Sequence, residues 1–334
     1  MVPPPVLTWL PFDAPLSAYQ QLGEPRHNVA RRYDFLDSSA LMQHVAQASE
    51  PASPVHQFEA AVESVINGDI ESLARQLQSH PSLTVVRSSR ITHFDPPVHG
   101  ATLLHYLAAN GVEGYRQKSP ANAVSVACLL LENGADPNAL AYCYGAPCTT
   151  MSLLVSSTPP AHAGTQIGLI DTLIDHGATV DEEPLLTALS FSFQPAAEAL
   201  VRRGVKVENV AAAAGLGLVD ETAQLLPAAD APSLHLALAL AAQLGHAATT
   251  ELLLRAGVDP NRFNPPGTHA HSTPLHQAAL AGHAAVVRLL VKHGASLDIK
   301  DTLFHATPLG WAEHGGQPAI ANFLRSHTNP ELIS

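Results

Sequence analysis

Five side chains in this sequence are of the types that acid–base chemistry uses: Glu113, Arg116, His162, Glu313 and His314. Around one groove they would supply an acid, a base and an anion clamp. No nucleophile accompanies them. The chain has no G-x-S-x-G, no Gly-rich phosphate loop with Lys and no dinucleotide fingerprint, and Gly215-Leu216-Gly217 reads as helix linkage. Two spacings look metal-like, His269-x-His271 and Cys143-x4-Cys148. Zinc needs three or four ligands, and neither pair has a second pair at a matching distance. Cys128 falls within a helical pattern and reads as a small buried hydrophobe. The expectation is no catalytic residue, no metal and no cofactor. An enzyme stays open as the less favoured reading.

Those residues sit in a chain of 334 with 17 Lys+Arg against 29 Asp+Glu, a net charge of −12 with 19 His neutral. An anionic chain is a poor partner for nucleic acid or an anionic membrane, since both select cationic surfaces. Mild acid would remove much of that charge through the histidines. Three cysteines are too few and too odd in number for a disulfide framework, which fits a reducing compartment. The opening MVPPPVLTWLPF lacks the basic front of a secretory signal, and stretches such as 210–219 are about half a membrane span. A soluble, cytoplasmic protein is expected.

What must position the candidate residues is a repeat. STPLHQAALAGHAAVVRLLVKHGASLD (272–298) is the clearest unit, and its 12-residue Gly282-to-Gly294 interval returns at Gly245 and Gly257. LLLENGADPN (129–138), LIDHGATVD (173–181) and LVRRGVKVE (200–208) repeat its close, and ATLLHYLAANG (101–111) and ATPLGWAEHGG (306–316) its opening. Thr-Pro starts a helix, because the hydroxyl satisfies an orphan N–H and Pro lacks a donor there anyway. Ala-Ala allows close pairing, Val-Val and Leu-Leu face the next unit, and the Gly ends the second helix. One such unit cannot bury its own apolar face, so several must stack.

These units resemble the ankyrin repeat. The combination of 103–124, 144–166 and 306–315 looks like a subgroup of stand-alone bacterial ankyrin proteins, for which no activity carries over. The resemblance implies an all-α ankyrin-repeat solenoid of about seven to eight helix-turn-helix repeats with an N-terminal helical arm. The expected layout is a Pro-rich, partly helical arm over 1–54, the array over 55–328 and a tail over 329–334, with no strands. Val29, Tyr33, Leu36, Leu41 and Val45 have roughly helical spacing, so the arm is read as docking on the first repeat; a partly disordered tail is the competing reading.

The Gly111-to-Gly134 interval is 23 residues rather than 12, and 156–168 is also lengthened. Both insertions fall at one place in adjacent repeats, so Glu113, Tyr115, Arg116, Gln117, His162 and Gln166 are candidates for a composite polar patch; the bland reading is solvated loops, or loops that fasten each other. In the ankyrin arrangement the residues after the His of Thr-Pro-Leu-His face the concave groove. That adds Tyr106, Asn110, Phe191, Gln277, Trp311 and His314, Trp311 being equally a packing residue. His105 and His276 stand in the His slot with a structural role, and His246 and His283 in a usual position for an exposed His. Thr149-Thr150-Met151-Ser152 and Gly310 depart from the pattern. The functional expectation is a non-enzymatic scaffold for a protein or peptide, with no nucleic acid or membrane partner. Its alternatives are a small-molecule or catalytic pocket lined by Arg116, Tyr144 and His162, and self-association.

Overall fold

A computed structural model of the chain describes residues 26–328; the front of the expected arm and the whole tail, 1–25 and 329–334, lie outside the described residues. The chain divides into two compact units, Met1–Thr179 and Val180–Ser334.

In the first unit, α1 (Arg26–Arg32) and α2 (Ser38–Ala48) form the arm. The first repeat is α3 (Pro54–Asn67) and α4 (Ile70–Ser79), the second α5 (Leu103–Ala108) and α6 (Ala123–Glu132). The third is α7 (Thr150–Leu154) and α9 (Gln166–Asp175), with the short α8 (Thr158–His162) between them. Helix α3 shows why these segments are helical. Ser53 caps it, Pro54 occupies its first turn, and Gly68 ends it in the left-handed region. Phe58, Ala61, Val62, Val65 and Ile66 make one buried stripe at i, i+3, i+4, i+7 and i+8.

The arm docks on the first repeat through buried Ala40, Val45 and Ala48 of α2, but its spacing is not continuous. Asp34 turns left-handed (φ 60°) between the helices, so the period restarts there. Phe35 becomes the buried anchor and Leu36 faces out, contrary to the expected stripe. Phe35 also bridges to Thr92, fixing the arm to the loop before the second repeat. The expectation of no strands is corrected too. Leu140–Cys143 (β1) and Ala146–Thr149 (β2) pair antiparallel around Tyr144-Gly145, both left-handed, the geometry of a tight two-residue hairpin turn.

The second unit holds five helix pairs among the described residues. They are α10 (Glu182–Ser190) with α11 (Gln194–Arg202), α12 (Val210–Gly215) with α13 (Val219–Leu225), and α14 (Ala231–Gln243) with α15 (Ala247–Arg255). They continue with α16 (Pro274–Ala281) and α17 (Ala284–Lys292), then α18 (Pro308–His314) and α19 (Pro318–Thr328). Three pairs and five make eight repeats, the upper end of the expected number. Alanines at 211–214, 237, 239, 241 and 242 are buried, which lets the first helices of neighbouring repeats pack closely. The histidines after the mid-repeat glycines are not simply exposed. His283 Nε2 lies 3.0 Å from the Gln243 carbonyl, and its ring covers left-handed Gly245, where a Cβ would fall 2.6 Å from Nδ1. Glycine is needed there for both its dihedral and its lack of a side chain.

Candidate functional site

Two of the residues read as a polar patch on the second-repeat insertion, Glu113 and Arg116, are fully buried charges among the described residues of the first unit. Arg90, Arg116, Glu59 and Glu113 are each 2% exposed or less. Arg116 Nη2 bonds Glu59 Oε2 and lies 3.2 Å from Glu63 Oε1, and Arg116 Nη1 is 3.8 Å from Glu113 Oε2. Arg90 Nε stands 3.3 Å from Glu113 Oε1, its Nη1 donates to Tyr115 Oη at 2.6 Å, and its guanidinium lies over the Phe35 ring. His99 accepts from Ala101 N at Nδ1, so its Nε2–H donates to Glu113 at 3.1 Å. His44 of the arm reaches Glu59 Oε1 at 3.2 Å. Burial alone would raise both carboxyls. Against it, Arg116, Arg90 and His44 hold Glu59 far below the usual range, and Arg90, the His99 bond and Arg116 hold Glu113 at about 2.

This network joins arm, first repeat, the 86–100 loop and the insertion, and leaves none of its four core charges at the surface. The expected polar patch is therefore corrected for Glu113 and Arg116: desolvation of two guanidiniums demanded carboxylate partners, and the insertion supplies one of them. The expected pocket of Arg116, Tyr144 and His162 loses Arg116 for the same reason. His162 is exposed at the end of α8, and Gln117 donates to its own loop at the Val112 carbonyl. Gln166 is buried on the Leu154 carbonyl. The two insertions do fasten each other, through Ser119 Oγ and Thr165 Oγ1 at 2.9 Å. Glu59, Arg90, His44 and His99 were missed by sequence reasoning. The available signal was Glu59 beside the apolar stripe of α3, with Glu63 one turn further on.

Of the groove residues in this unit, Tyr106 is fully buried beneath Phe58 and presents no surface. Asn110 donates to Ser156 Oγ and the Leu153 carbonyl and accepts from exposed Tyr144 Oη, a built polar cluster at the hairpin turn. The nearby Cys143 thiol donates to the Gly111 carbonyl, and burial with Cys148 beside it pushes it up to about 12, so it is no nucleophile. Among the described residues no three His, Cys, Asp or Glu are placed to hold a metal, and no helix is long and apolar enough to cross a membrane.

His105 ties repeats together as expected: Nδ1 accepts from Thr102, and Nε2–H donates to the Cys148 carbonyl in the next repeat. His276 copies this with Thr273 and Ala306. Burial drives His105 from 6.5 to about 4. The fold therefore refuses a proton that the unfolded chain takes up, so this stability is complete above about 6.5 and is lost as pH falls toward 4. A melting series from pH 7 to 4 should show the midpoint falling, with a shallower slope in His105→Gln. Parallel slopes in the two proteins would refute a contribution from this ring.

In the second unit Trp311 is buried, stacked edge-on against His276, and donates its indole N–H to Asp301 Oδ2 at 3.0 Å. It therefore takes the packing role of its two readings. Asp301 also accepts from the N–H groups of Leu303, Phe304 and Ala306. Burial opposes ionisation, yet these donors keep its carboxyl well below the ordinary range. The result is a turn braced from within, with His305 left-handed (φ 54°) and Leu303 and Phe304 63% and 71% exposed. Phe191 and His314 are exposed, whereas Gln277 is buried on Ser272 Oγ. Glu313 pairs with Arg325 at 2.7 Å. His269 and His271 pack edge to face, His271 against Trp311, in an aromatic cluster rather than a ligand set.

Comparison with known proteins agrees with this architecture. The pattern "Ankyrin repeats (3 copies)" matches residues 238–333, and "Ankyrin repeat" matches residues 99–142. The chain is similar to human "Cyclin-dependent kinase 4 inhibitor B", 35% identical over 125 residues, which span 36% of this chain and 88% of that protein. Human "Cyclin-dependent kinase inhibitor 2A" is 31% identical over 35% of this chain and 75% of its own length. The rat "Cyclin-dependent kinase 4 inhibitor B" is 32% identical over 36% and 92%.

Proposed function

Because this chain belongs to the ankyrin-repeat family, we propose that it acts without catalysis, as a scaffold that binds a protein or peptide, with the Leu303–Phe304 turn as an anchor. The observation that carries this is the braced tip. Two large apolar side chains are held out to water by a carboxylate, an indole and a left-handed residue. Strain of this kind persists where the surroundings over-determine it, and a pre-ordered apolar anchor loses little entropy on binding. The similar proteins are named as inhibitors of a cyclin-dependent kinase; what passes to this chain is action on another protein, not that target. Exposed Phe191 and His314 in the second unit, and Asn110 and Tyr144 in the first, are the remaining contact residues of this reading. The same reading has the protein act in the cytoplasm, which fits Cys128, Cys143 and Cys148 standing outside any disulfide; the bacterial subgroup rests on the resemblance of 103–124, 144–166 and 306–315 alone.

Capture of the full chain with its ligands from its own cells tests this against Leu303→Ser with Phe304→Ser. The expected result is a stoichiometric polypeptide whose retention falls roughly tenfold or more in the variant, the loss typical of an aromatic anchor. Melting should change little, since both side chains are mostly exposed and Phe304 gives up only its edge contacts with His271 and Trp311. A small molecule retained without any polypeptide would replace the scaffold by the pocket reading.

A further inference from the structure

The β1–β2 hairpin of the first unit has one buried and one open face. Ala141 and Cys143 point inward, the Cys143 thiol donating to the Gly111 carbonyl. Leu140 and Tyr142 are 44% and 53% exposed, opposite Thr149 and Pro147. Tyr144, at the turn, is 74% exposed and held by its bond to Asn110. Exposed Val98 is carried beside β1, because the carbonyl of the next residue, His99, accepts from Tyr142 N. The platform is therefore fixed before anything meets it, and a contact made there has few side chains left to order.

Charge and size decide what fits this face. Residues 137–170, which include the whole hairpin, contain no Lys, Arg, Asp or Glu, although 14% of the chain is charged and its net charge is −12. At the rim, the exposed Arg87 guanidinium bonds the Leu140 carbonyl. Two copies of so anionic a chain repel each other over much of their surfaces. The hairpin brings no carboxylate to such a meeting, and an uncharged apolar face is complementary to itself, as a two-fold contact requires. The two tyrosines alone present roughly 250 Å². With Leu140, Val98 and Pro147 the face reaches on the order of 500 Å², the size at which exposed apolar patches mark contact sites. Against its own image it buries about 1,000 Å² in total, where specific interfaces begin. Pro147 of β2 has no N–H to give to a further strand, so copies cannot add edge to edge in an open series.

We propose that a second copy of this chain docks on the open face of the hairpin, in a two-fold contact where Leu140, Tyr142 and Tyr144 of each copy pack on those of the other. The contact is weak, as its area requires, and follows concentration. It does not depend on the Leu303–Phe304 anchor. A pair carries two such anchors, and Tyr144 is then withdrawn from outside partners.

Sedimentation velocity of the full chain, over a wide range of concentration at low and high salt, tests it. The sedimenting mass should move from that of one chain toward twice that value as concentration rises. Salt should strengthen the pairing, because it screens the repulsion between two chains of −12 and takes nothing from an uncharged contact. Leu140→Ser with Tyr142→Ser keeps the bond between Tyr144 and Asn110. It should raise the dissociation constant roughly tenfold or more, with circular dichroism and melting unchanged. If that variant loses its fold, Tyr142→Glu alone decides, since it sets like charges face to face and leaves buried Ala141 and Cys143 in place. A chain that stays single at the highest concentration overturns the proposal, as does pairing that ignores these substitutions. Pairing that weakens with salt assigns the contact to charged groups elsewhere and overturns it equally. Mass that grows without limit overturns the two-fold form.

Discussion

Arg116→Ala should destabilise the protein by about 3–5 kcal/mol, the cost of removing one partner from a buried ion cluster. The side chain is fully buried and faces Glu59, Glu63 and Glu113, so its loss leaves two buried carboxylates with Arg90 as their remaining nearby guanidinium. Arg116→Lys should recover little, because a single ammonium cannot present a planar fork to three carboxylates. The pH dependence has a definite sign. Glu59 and Glu113 are depressed in the fold, so their stabilisation is present above the unfolded value near 4.5 and is lost as pH falls toward about 2. Wild type and Arg116→Ala should therefore differ most at neutral pH and draw together progressively as pH falls from about 4.5 toward 2. Urea unfolding at pH 7 and pH 3.5 measures this. Glu59→Gln combined with Arg116→Met should cost less than Arg116→Met alone, since the stranded charge is then removed as well. A loss below about 1 kcal/mol at pH 7 would mean that water reaches the cluster and screens it.

That network marks where sequence reading stopped. Thr102 with His105 and Thr273 with His276 were legible because the helix cap and the inter-repeat tether both lie in one short motif. The helix pairs were legible because Gly and Thr-Pro punctuate them. Glu113 and Arg116 were also noticed, as charges in an insertion, and their surroundings were inferred from the rule that inserted loops meet water. What reverses that rule is Glu59, which lies 54 positions before Glu113, and Arg90, in a loop without a repeat signature. No local pattern links such distant residues; only the folded topology brings them within 4 Å. Trp311 shows the same limit. Its spacing fits groove and packing alike, and it is Asp301, ten residues earlier, that holds the indole inward.

Leu290→Ala should cost about 2–5 kcal/mol, and Leu289→Ala markedly less, although both are leucines in Val-Val-Arg-Leu-Leu of α17. The motif alone does not separate them reliably: read as sequence it puts Leu289 in the core, and that expectation is corrected. The structure does: Val286, Val287 and Leu290 have no exposed surface, whereas Leu289, turned by about 100° from its neighbour, is only partly buried. Truncating Leu290 opens a cavity between α17 and the second helices on either side, α15 and α19, with no flexible neighbour to fill it. A repeat array is stabilised largely by such nearest-neighbour interfaces, so the loss should pass to the last repeat first, which has a partner on one side only. Hydrogen exchange should then show α18 and α19 losing protection before α14 and α15 in Leu290→Ala, with little change in Leu289→Ala. Equal costs at the two positions would mean that α17 sits one residue out of the phase that buries Leu290. The packing of the last two repeats would then have to be redrawn, and with it the bracing of the Leu303–Phe304 turn that lies between them.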